Sequence, residues 1–175
     1  MIDIIKELQK NEVLVLLFEE DYQNNLLRVV KKAEAASKKI CYITLTKPYY
    51  HLVKFFKQND INVEKFAFID GVTSTVRKAD SSENCRFIPA PNALTELNLM
   101  IAKECKEYMP DLLIFDSLSS LLIYEKEPVL LRFVHTIVNE LRMNNVKSIF
   151  TLLKEDYDSR AIKDISLFVD KIIKV

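Results

Sequence analysis

Apolar residues in this chain fall into short unbroken runs separated by stretches of helical spacing, and the two kinds of segment alternate from end to end. Val13-Leu14-Val15-Leu16-Leu17-Phe18 is apolar at every position. A strand with one wet face alternates apolar and polar residues, so an unbroken run predicts burial on both faces, as inside a parallel sheet. Ile40-Cys41-Tyr42-Ile43-Thr44-Leu45, Phe66-Ala67-Phe68-Ile69, Leu112-Leu113-Ile114-Phe115 and Ser148-Ile149-Phe150-Thr151-Leu152 repeat the signal, rich in β-branched and aromatic residues. Val13–Phe18 and Leu112–Phe115 are expected side by side at the centre. Cys85–Ile88 reads as a short strand, and Val169–Val175 as a last strand on the edge.

Between these runs the spacing is helical. Ile2, Ile5 and Leu8 mark a short first helix, and Leu26, Val30, Ala33 and Ser37 share one face of a second. Pro48 suits a first helical turn, followed by Tyr49, Leu52, Val53 and Phe56. Asn92 is a candidate N-cap for a helix carrying Leu94, Leu97, Ile101, Cys105 and Tyr108. From about Pro128, Leu130, Phe133, Val134, Ile137 and Leu141 form another stripe. Thr73–Asn84, with Ser74, Thr75, Ser81 and Ser82, is polar and aperiodic and reads as a loop. The alternation predicts an α/β fold: a single three-layer α/β/α domain over residues 1–175, with a mostly parallel central sheet.

Charge narrows the partners. Lys+Arg and Asp+Glu balance at 25 each, which argues against a general binder of nucleic acid or anionic membrane. No apolar run approaches the ~20 residues that span a bilayer, and the opening residues lack a signal-peptide layout. Cys41, Cys85 and Cys105 are odd in number and far apart, which predicts free thiols in a reducing compartment and no zinc site. A cytoplasmic protein is therefore expected, with no membrane contact and no metal.

The chain holds one glycine, Gly71, where average composition gives about a dozen. Phosphate-cradling loops need glycines for left-handed backbone and for close approach of N–H groups to an anion. Neither of the two common glycine-rich phosphate signatures can be written with one glycine.

Several segments nevertheless resemble the RecA/KaiC-like ATPases, particularly their archaeal KaiC-like branch. Pro110-Asp111-Leu112-Leu113-Ile114-Phe115-Asp116-Ser117-Leu118-Ser119-Ser120-Leu121-Leu122 is similar to that family's Walker B strand, with its trailing Asp-Ser-Leu-Ser. Phe68-Ile69-Asp70, Pro91–Leu97 and Ser166–Ile173 resemble three further family segments, in the family's order. The resemblance implies a RecA-like fold. It also implies that the first strand should lead to a glycine-rich loop bearing a lysine and a Ser/Thr, and the second to a glutamate pair that activates water. Here the first runs into Glu19-Glu20-Asp21-Tyr22-Gln23-Asn24-Asn25, and the second into Thr46-Lys47. Three carboxylates replace the phosphate cradle, and neither Thr46 nor Lys47 suits a general base at neutral pH.

The expectation is a degenerate member, not an enzyme, with no cofactor and no catalytic residue. Asp116 and Ser117 are vestigial Walker B-like residues. In a working relative Asp116 would hold Mg²⁺ through water; here its expected task is to accept N–H bonds from the Ser117–Ser119 turn. The leading function is a protein-interaction or regulatory module, partnered by a second copy or an intact KaiC-like ATPase. The alternative is a nucleotide or small-molecule sensor at the strand carboxyl ends, lined by Glu20, Asp21, Thr46, Lys47 and Asp116. Arg77, Lys78 and Arg86 are candidates for a partner-binding loop region. Tyr49-Tyr50-His51 beside Lys47 and Lys54 reads as helix packing with a wet rim rather than a base-stacking platform.

Overall fold

A computed structural model of the chain describes residues 3–80, 82–156 and 160–175. Ile2 and Ser81, assigned above to the first helix and the polar loop, lie outside the described residues. The elements are α1 (Ile4–Lys10), β1 (Val13–Phe18), α2 (Tyr22–Ala36), β2 (Ile40–Thr44), α3 (Tyr49–Gln58), β3 (Phe66–Asp70), β4 (Cys85–Phe87), α4 (Leu94–Glu107), β5 (Leu112–Asp116), α5 (Leu118–Tyr124), α6 (Glu127–Met143), β6 (Lys147–Leu153), α7 (Arg160–Ile165) and β7 (Lys171–Lys174). Short 3₁₀ turns cover Val63–Lys65, Thr73–Thr75 and Lys154–Asp156.

The seven described strands form one sheet in the order β4-β3-β2-β5-β6-β1-β7, with every neighbouring pair parallel. The unbroken apolar runs are buried on both faces, as their composition demands. Successive residues point to opposite sides. Leu14, Leu16 and Phe18 pack with α1, α2 and α3, while Val13, Val15 and Leu17 pack with α4 to α7. The result is the three-layer α/β/α arrangement.

β1 and β5 are both interior but not adjacent, contrary to expectation: β6 lies between them. An apolar run reports that a strand is covered above and below. It says nothing about which strand lies beside it. Ser148 of β6 faces Val13 on one side and Leu113 on the other. A second correction concerns α4, whose N-cap is Ala93; Asn92 contributes only its carbonyl, which accepts from the Leu94 N–H at 2.9 Å. The edge position of β7 is as expected.

The polar segment after β3 is more ordered than its aperiodicity predicts. Thr73–Thr75 forms a 3₁₀ turn, and Thr73 is buried. The Asp70 carboxylate organises it, accepting from the Val72 N–H at 2.6 Å, the Thr73 N–H at 2.9 Å and the Thr73 hydroxyl at 2.5 Å. Gly71 stands there for space. A Cβ would sit 2.9 Å from Leu45 Cδ2, 3.2 Å from Pro91 Cα and 3.3 Å from Ile88 Cδ1.

Helix ends that commonly use glycine manage without it. Asp60 and Asn145 take left-handed φ of 59° and 56° just beyond α3 and α6. There the N–H groups of Ile61 and Val146 return to the carbonyls of Phe56 and Leu141 at 3.0 and 2.9 Å. Met109, beyond α4, adopts φ 53°. Among the described residues, no helix is long and apolar enough to cross a membrane.

Candidate functional site at the strand carboxyl ends

In register, Thr44 of β2 lies opposite Asp70 of β3 on one side and Asp116 of β5 on the other. All three are buried, on the face that carries α2 and α3. The turn after β1 closes over this row. Asp21 adopts a left-handed φ of 45°, and α2 begins at Tyr22. Tyr22 lies four residues before Leu26 and seven before Val29, so it falls on the stripe that α2 turns toward the sheet. Its ring packs edge-on against Phe18, with centroids 4.9 Å apart.

The Tyr22 hydroxyl donates to Asp116 Oδ1 and lies 2.8 Å from Thr151 Oγ1. The Tyr42 hydroxyl donates to Asp116 Oδ2 at 2.8 Å. Asp116 itself is 1% exposed. Burial pushes its carboxyl above the ordinary range, and the phenols of Tyr22 and Tyr42, with the Lys47 ammonium, offset only part of that. Burial and the neighbouring carboxylate likewise raise the Tyr22 phenol. Thus Asp116 does not bind the Ser117–Ser119 turn as expected. That turn caps itself: the Ser117 hydroxyl accepts from the Ser120 N–H at 3.3 Å and opens α5.

Above Tyr22 lies a cavity of about 600 Å³. Tyr22, Gln23, Thr46, Lys47 and the buried Ser117, Ser119 and Ser120 give it a hydroxyl-rich base. Leu122, Ile123 and Leu153 form an apolar wall, and Glu155 and Asp156 stand at one side. The Ser119 hydroxyl accepts from the Leu153 N–H at 2.9 Å and ties α5 to the end of β6. The volume falls in the range of small-molecule sites, roughly 300–1,000 Å³.

The structure redistributes the candidates named from the sequence. Thr46, Lys47 and Ser117 line the cavity, while Asp116 lies beneath it, covered by Tyr22. Glu20 and Asp21 are exposed on the preceding turn and do not line it. The acidic run does not converge: Glu19 pairs with Lys154 at 3.3 Å and Lys174 at 3.9 Å, and Asp21 accepts from the Asn24 side chain at 2.6 Å. Consecutive residues in a turn point in different directions, which is why three carboxylates in sequence make no shared site.

Arg77, Lys78 and Arg86 separate as well. Arg77 and Lys78 are exposed, with the Arg77 guanidinium 5.1 Å from the Tyr50 ring centroid. Arg86 belongs to β4 and faces the buried Glu104 at 3.4 Å. The residues that sequence reasoning missed are Tyr22, Tyr42, Thr151 and the apolar wall of α5. The available signal for Tyr22 was its spacing to Leu26, which extends the apolar stripe one turn toward the acidic run.

A search of curated proteins finds no match. Among solved structures, the fold is similar to that of the KaiC-like protein PH0186 from the hyperthermophilic archaeon Pyrococcus horikoshii OT3. The TM-score is 0.67 and the identity 15%, over 93% of this chain and 70% of that one. At that identity the likeness establishes the fold alone. Residues 28–175, from the middle of α2 through β7, match the family of unknown function DUF7504, and the chain belongs to that family.

Proposed function

We propose that this chain is a non-hydrolytic RecA/KaiC-like domain that works as a regulatory and protein-interaction module. The observation that carries the reading is the Tyr22–Asp116–Tyr42 cluster. In the resemblance, Asp116 would reach a magnesium ion through water. Here each of its oxygens already accepts a phenol, and Tyr22 covers it. These residues do not fit a magnesium ion. Thr46 and Lys47 at the end of β2 supply no general base, and the acidic turn after β1 offers an anion no cradle. The exposed Val76-Arg77-Lys78 tip and the exposed Ile123 and Tyr124 of α5 provide surface for a protein partner, either a second copy or an intact KaiC-like ATPase.

Calorimetry with MgATP tests this. No turnover is expected, and any affinity should be weaker than about 1 mM. Micromolar MgATP binding would overturn the reading.

A second reading has its own observation, the 600 Å³ cavity. A small-molecule sensor would bind there without hydrolysis. In a thermal-shift series it would gain about 2.7 kcal/mol at a hundredfold excess over Kd, whereas a pure interaction domain would not respond.

A further inference from the structure

The cavity's charges are unevenly balanced. Lys47, its one cationic lining residue among those described, is half-buried, with its ammonium 5.6 Å from the Phe55 ring centroid. Lys154, next along the chain from the wall residue Leu153, is engaged with Glu19. Glu155 and Asp156 line the cavity and make no ion pair among the described residues. The cavity also has an apolar wall, of which Ile123 is 76% exposed.

Resting on the second reading above, we propose that this cavity takes a small organic cation: an ammonium or amidinium group on an apolar body the size of one ring with a short chain. The body lies against Leu122, Ile123 and Leu153, where it removes apolar wall from water. The cation stays at the wet rim beside Glu155 and Asp156, where it keeps part of its hydration and gains two opposite charges. A phosphate or carboxylate in the same place would meet the like charges of Glu155 and Asp156. The same chemistry could arrive as a lysine side chain on a peptide, but a volume of about 600 Å³ suits a whole small molecule.

Three probes of one shape separate the terms: phenylbutylamine, phenylbutanol and phenylbutanoate, titrated into the full chain and followed by calorimetry. The amine should bind at least about tenfold more tightly than the carboxylate, with the alcohol between. The double variant Glu155→Gln/Asp156→Asn should weaken the amine about fivefold, leave the alcohol unchanged and fold normally, because Glu155 is exposed and Asp156 only half-buried. Ile123→Ser should weaken all three alike. Equal binding of alcohol and amine, an unchanged amine affinity in the double variant, or no binding of any probe would each overturn the proposal. A short Lys-Leu peptide that binds more than tenfold tighter than the amine would also overturn it, by assigning the site to a protein partner. Equal binding of alcohol and amine overturns the cation assignment and leaves the sensor reading standing, whereas the sensor reading fails only if the thermal-shift series is flat as well, so the two fail separately.

Discussion

Asp70 and Asp116 occupy equivalent places and do different work. Each ends a strand, each lies opposite Thr44, and each is buried on the same face. The Asp70 carboxylate takes three backbone N–H groups and one hydroxyl: Tyr49 N–H at 2.7 Å, Val72 N–H, Thr73 N–H and the Thr73 hydroxyl. Its donors come from the first turn of α3 and from the turn after β3, so one side chain fixes two connections. The N-terminus of α3 adds favourable dipole charge. Among the described residues, the Asp116 carboxylate has no backbone donor. It relies on phenols from two other elements, one of which forms part of a cavity. Backbone donors build a fold around a carboxylate, whereas side-chain donors leave it inside a site that sequence change can remodel.

The largest expected effect is at Asp70. Asp70→Ala strands three N–H groups, that of Thr73 buried and those of Tyr49 and Val72 partly buried, and should cost about 3–4 kcal/mol in denaturant unfolding. A loss below about 1 kcal/mol would make the two aspartates equivalent and break the contrast. Next come the residues that follow each aspartate. Gly71→Ala should cost about 2 kcal/mol, because the Pro91 backbone at 3.2 Å cannot move as easily as the Leu45 methyl. Ser117→Ala removes a helix cap and should cost about 1 kcal/mol. Equal losses would show that packing at Gly71 is looser than its contacts imply.

The smallest effect sharpens the contrast by pH. The folded-state pKa of Asp116 is raised above its ordinary 3.8 by burial. A raised group contributes stability that is full below the unfolded value and is lost as pH rises through the folded value. Wild type should therefore lose stability across that window relative to Asp116→Asn, which differs from it by less than about 1 kcal/mol at the acid end. Asp170 acts in the opposite sense. Burial raises it, but the N–H groups of Val13 and Glu12 and the Arg142 guanidinium outweigh that and lower it, so its contribution is lost as pH falls. Subtracting the variant's melting profile from that of wild type cancels Asp170. A flat difference would show that Asp116 ionises as freely as an exposed carboxylate.

Much of the architecture is written in local spacing. The runs in β1, β2, β3 and β5 and the stripes of α3, α4 and α6 name the buried faces directly, because burial follows the period of each element. Sheet order is not local: placing β6 between β1 and β5 depends on where crossovers return, which no window of sequence contains. The site was half legible. Thr46, Lys47 and Ser117 follow from strand ends alone. Tyr22 is hidden in the sequence by the acidic residues before it, although its spacing to Leu26 places it on the inward face. Glu155 and Asp156 reach the cavity only because β6 neighbours both β5 and β1.

The left-handed residues at the helix ends have a consequence for the unfolded chain. Glycine is the residue with the most backbone freedom to lose on folding. A chain with one glycine starts from a narrower unfolded ensemble and gives up less disorder when it folds. The counterpart is borne in the native state. Asp60 and Asn145 tolerate the left-handed region through short polar side chains, but Met109 does not, and its conformation costs about 1–2 kcal/mol. This fold thus holds as native strain at its turns what most folds hold as unfolded-state freedom.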